Sequence, residues 1–125
     1  MNSLSLTQAQ AIIAGALALA RHKGYKPMGV VVVDAAAQAI AFAREDGASA
    51  LRLDIAHGKA GAAVGMGVSS RALAVRAKDM PAFFGTIATN AQGETIGAVG
   101  ASGGTGDEDE EIVIAGIAAV GLHHV

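Results

Sequence analysis

The chain has 125 residues, 52% of them hydrophobic, which suffices for one domain (1–125) with a modest core and leaves no room for a second. Nine Lys plus Arg stand against eleven Asp plus Glu, so no field of either sign draws in nucleic acid or an anionic membrane. Without cysteine there is no disulfide framework and no thiolate nucleophile.

Ser5 with Gln8, and Thr7 with Gln10, have capping-box spacing ahead of an Ala-rich stretch, so a first helix is expected. It should stop at Gly24, after Arg21, His22 and Lys23, whose charges suit the negative end of a helix dipole. Its apolar part, Ala11 to Ala20, is too short to span a bilayer, and the ten residues before it hold no Lys or Arg, unlike a signal peptide. The chain therefore reads as cytoplasmic.

Met28 to Ala35 is a continuous β-branched run behind Pro27, the pattern of a strand buried on both faces. QAIAFARED then alternates Ile40, Phe42 and Arg44 against Ala41, Ala43 and Glu45, which predicts an antiparallel partner strand. From Ser49 the period becomes helical as far as Gly65 and Gly67. Gly58 and Gly61 inside this second helix cost about 1 kcal/mol each relative to Ala, so a close neighbour is expected on their face. Ser69 to Lys78 reads as a third helix, with Arg71, Arg76 and Lys78 on a solvated face. TIAT and ETIGAVG flank the turn sequence NAQG, predicting a second hairpin.

The glycine-rich stretch VGASGGTG leads into five consecutive acids, Asp107 to Glu111, and a last helix. Thr105 and Glu108 have capping-box spacing, the acids complement the helix dipole, and their charge opposes a phosphate. Consecutive acids on a helix point in different directions, so a solvated helix start is favoured over a cation site. The small residues from Gly97 to Gly104 allow a close backbone approach, at a pocket wall or a subunit contact. Two hairpins and no βαβ crossover give an α+β domain with helices on an antiparallel sheet.

Three motifs together carry a resemblance. IGAVGASGGTGDEDEEIVIAGIAA, the REDGA segment at Arg44 to Ala48, and LDIAHGKAGAA at Leu53 to Ala63 follow the VVVVDA strand in the order found in the GlcG/HbpS-like family, which also supplies the C-terminal domain of PduO. The resemblance implies a profilin-like three-layer α/β/α sandwich, homo-oligomers, and haem or a related small molecule as ligand. The chain departs from the family by lacking a Gly after the first strand's Asp, where it has DAAAQ. It also lacks a longer segment ending in a Gly-Gly pair before the second hairpin, leaving Gly85 as a counterpart.

Asp54 and His57 lie three apart, on one side of the second helix, where an Asp can orient a His for ligation or proton transfer. Lys59 matches the family pattern and, with Arg44 and Asp46, could hold a carboxylate; alternatively it ties the second helix to the second strand as an ion pair. His22 is read as a helix C-terminal cation, and His123 and His124 as lying on a frayed end. Two functions follow. One is a small-ligand-binding, oligomeric accessory protein, with His57 as the candidate ligand to haem iron. The other is a cofactor-independent isomerase, tautomerase or lyase acting on a small organic acid, with Lys59 or Arg44 on the carboxylate and Asp46, Asp54 or His57 moving protons. Three Phe, one Tyr and no Trp leave few rings to stack on a porphyrin, which argues against a snug haem pocket.

Overall fold

The structure is a computed structural model and describes residues 3–66 and 85–124; the expected third helix at Ser69 to Lys78 lies outside them. Helix α1 spans Leu6–His22 and starts on the Ser5/Gln8 capping box, in which Ser5 Oγ accepts from Gln8 N at 3.1 Å and Gln8 Oε1 accepts from Ser5 N at 3.0 Å. Lys23 caps its end and Gly24 turns the chain at φ +70°.

Strands β1 (Gly29–Asp34) and β2 (Ala39–Arg44) form the first hairpin, and β1 is buried on both faces as its apolar run implies. Asp34 Oδ1 organises the turn by accepting from Ala36 N and Gln38 N. The strict alternation expected in β2 breaks at a register shift between Val32 and Val33 of its partner. Ile40 consequently packs with Ala41 and Ala43 on one core, while Phe42 opposes Val31 on the other face and stays 41% exposed.

Helix α2 spans Leu51–Met66. Strands β3 (Thr86–Thr89) and β4 (Thr95–Ser102) form the second hairpin, whose turn is built on Asn90 Oδ1 accepting from Gln92 N and Glu94 N. Helix α3, Gly106–Ala119, begins on the expected Thr105/Glu108 capping box. A two-residue strand β5, His123–His124, pairs with Ala88 and Thr89, so these histidines are not a frayed end.

The five strands are antiparallel in the order β2-β1-β4-β3-β5. Helices α1 and α3 cover one face over Val30, Val32, Val99 and Ala101, and α2 covers the other over Val31, Val33, Ile87 and Ala98. This is an α+β domain with helices on both sides of its sheet. No helix among the described residues is long and apolar enough to cross a membrane.

Close approach to α2 comes from Gly100 in β4 and Gly85 just before β3, not from the glycines of α2 itself. A Cβ on Gly100 would lie 2.1 Å from the Ala56 carbonyl oxygen, and one on Gly85 2.2 Å from that of Lys59. Nothing among the described residues comes within 4 Å of a Cβ on Gly58 or Gly61. The expected neighbour on their face is therefore not found there, because α2 turns its other side to the sheet.

Candidate functional site

Helix α2 has two unlike faces. Ala56, Lys59, Ala60 and Ala63 recur at i, i+3, i+4 and i+7 and are buried, so the small side chains let the helix lie close to the sheet. The opposite face carries Asp54, His57, Gly58, Gly61 and Ala62, which line a shallow cleft of about 450 Å3. His57 is exposed, and beside it the two glycines leave a strip without side chains.

Lys59 points the other way. Its Nζ donates to Asp109 Oδ2 at 2.9 Å and to the Ala101 carbonyl at 2.8 Å, with only 7% of the Lys59 side chain and 3% of the Asp109 side chain exposed. The second carboxylate oxygen, Asp109 Oδ1, accepts from Gly104 N at 2.9 Å. Burial pushes the Asp109 carboxyl above its ordinary value, opposed by the Lys59 hydrogen bond and charge, the Gly104 N–H and the charge of Arg52. Both oxygens of the carboxylate are thus satisfied within the fold, as a buried ion pair requires.

Arg44 and Asp46 line a separate cleft of about 420 Å3 together with Arg21, Pro27 and Glu45. Within it, Arg44 Nη1 donates to the Ala48 carbonyl at 2.6 Å, and Arg21 Nε pairs with Glu45 Oε2 at 2.8 Å. Glu45 Oε1 in turn accepts from Met28 N at 2.9 Å.

The five residues singled out by sequence therefore fall into three places. Asp54 shares a cleft with His57, Arg44 shares another with Asp46, and Lys59 joins neither. The expected Lys59–Arg44–Asp46 cluster does not form, since Lys59 belongs to the buried stripe of α2. Its ion pair ties α2 to α3, and its hydrogen bond to Ala101 ties α2 to β4, not to the second strand. The acidic run is likewise not uniformly solvated: Asp109 is buried, and Glu111 accepts from Lys23 Nζ at 2.7 Å and from the Tyr25 hydroxyl. Sequence reasoning missed Asp109 as the partner of Lys59. The signal was a lysine in register with Ala56, Ala60 and Ala63, a position where a cation must find an acid.

The family profile described as "Haem degrading protein HbpS-like" matches residues 4–118. The chain belongs to the HbpS-like family. Among solved structures, a double mutant of HbpS from Streptomyces reticuli superposes with a TM-score of 0.79 at 31% identity, covering 93% of this chain and 86% of that one. PduOC in complex with heme superposes with a TM-score of 0.76 at 25% identity, covering 96% of each chain. The Klebsiella pneumoniae protein ORFY shares the fold, with a TM-score of 0.76 at 23% identity over 94% of this chain and 90% of that one. No curated protein sequence gives a significant match. Within the described residues of this HbpS-like chain, no three His, Cys, Asp or Glu side chains cluster as a metal site, so a metal held by several side chains finds no donor set there.

Proposed function

We propose that this HbpS-like chain binds haem on the outer face of α2, with His57 as the protein ligand to the iron. The observation that carries the reading is the exposed imidazole of His57 beside the Cβ-free strip of Gly58 and Gly61. A planar macrocycle needs a flat wall, and an imidazole nitrogen suits haem iron. Asp54, one turn earlier in the same cleft, is the carboxylate available to hold the other ring N–H of His57. Bound haem would supply a redox-active iron; the chain's part is to seat and orient it. The relative solved with heme supports the ligand class.

The acid-handling enzyme has less behind it. The residues expected to work together lie apart: Lys59 is buried against Asp109 and Ala101, and Arg44 lines a different cleft from Asp54 and His57.

The accessory role includes self-association. Leu6, Phe42 and Leu51 are exposed at 54%, 41% and 60%, apolar area that a second copy could cover. Light scattering should then give at least twice the 12.3 kDa chain mass.

Titrating the purified protein with haem tests the reading: a saturable Soret shift at one haem per chain is expected. Absence of saturation would overturn it.

A further inference from the structure

On another side of the molecule, a cleft of about 660 Å3 opens between the loop joining α1 to β1 and the turn joining β4 to α3. Its volume lies within the range that small-molecule sites occupy, about 300–1,000 Å3. The floor is the Gly103–Gly104 turn. A Cβ on Gly103 would lie 2.4 Å from the Pro27 carbonyl oxygen, so only glycine fits this packing, and Gly104 N is anchored on Asp109. The buried Lys59–Asp109 pair thus fixes the floor from beneath.

The walls carry cations from two separate segments: Lys23 and Lys26 from the loop, and Arg52 from α2. Lys23 is already paired with Glu111. Lys26 has no ion pair or side-chain hydrogen bond among the described residues, and the guanidinium of Arg52 makes one hydrogen bond, from Nη1 to Ser102 Oγ at 3.1 Å. Glu108 is the acid of the lining, and its Oε1 accepts from Thr105 N at 2.9 Å. Of the acids whose charge opposes an anion at this turn, Asp109 is paired with Lys59 and Glu111 with Lys23, so two cations with unused donors face a preformed cleft against one lining carboxylate, Glu108. Guanidinium and ammonium groups so placed are suited to an oxyanion, the former through paired N–H groups and the latter as a point charge.

We propose that this cleft binds a small molecule through a carboxylate or phosphate group, at a site separate from the α2 face. Calorimetric titration with inorganic phosphate and, separately, with succinate tests it. At least one probe should bind saturably, with affinity reduced at least tenfold by Arg52→Gln and by Lys26→Ala and unchanged by Arg44→Gln in the other cleft. Tighter phosphate binding assigns a phosphorylated ligand class, and tighter succinate binding a carboxylic acid class. Lys26→Ala alters an exposed position and keeps the test open if Arg52→Gln fails to fold. Failure of both probes to bind, or binding within twofold of the original in Lys26→Ala, would overturn the proposal.

Discussion

Lys59 on α2 and Asp109 on α3 meet at 2.9 Å although their helices cover opposite faces of the sheet. The pair joins the two helical layers at the end of β4, where the same ammonium donates to the Ala101 carbonyl. Removing one partner leaves the other charge buried and uncompensated. Lys59→Met should therefore cost about 3–5 kcal/mol, and adding Asp109→Leu should recover a large part of that loss. Urea unfolding of the single and double variants measures both, and a single variant within about 1 kcal/mol of the original would contradict the stated role.

Two acids of α3 should respond to pH with opposite signs. The Glu111 carboxyl is held below its ordinary value, first by the hydrogen bond from Lys23 and then by that from Tyr25. Its contribution is present above the ordinary glutamate value and lost as pH falls through the lowered one. The Asp109 carboxyl is raised by burial, so the folded state holds that proton more tightly than the unfolded state does. Its contribution is full at acid pH and declines as pH rises through the raised value. Melting temperature against pH should show a shallower acid-side decline in Glu111→Gln and a steeper one in Asp109→Asn. Curves parallel to the original in both variants would contradict the assignment.

The glycines divide by location. Gly100→Ala places a Cβ against the Ala56 carbonyl, a backbone atom that cannot step aside, and should cost about 1–3 kcal/mol or more. Gly61→Ala meets nothing within 4 Å among the described residues and should instead gain about 1 kcal/mol from helix propensity. Thermal or urea melts of the two variants decide, and a Gly61→Ala loss would mean that its face is covered.

Much of the fold was legible because it rests on local chemistry. The Ser5/Gln8 and Thr105/Glu108 boxes, the β-branched run of β1 and the Asn90 turn each report the backbone that they stabilise. What escaped depends on how elements are rotated against one another. The glycines of α2 and those of β4 look alike in sequence, and only packing shows that Gly100 is crowded while Gly58 has no neighbour within 4 Å of a Cβ among the described residues. Asp109 sits among four other acids, and only the fold shows that it is the one that meets Lys59 and Gly104 N. The bulge opposite Val32 and Val33 likewise moved Ile40 off the face that alternation predicts.

Haem titration of His57→Ala, beside His22→Ala and the His123→Ala/His124→Ala double variant, decides whether the α2 face holds the iron. His57 is exposed and carries no structural hydrogen bond among the described residues, so its loss should leave the fold intact. His57→Ala should abolish the Soret shift of the ligated iron, while the other two variants titrate like the original protein. An unchanged Soret shift in His57→Ala would remove the α2 face as the haem site.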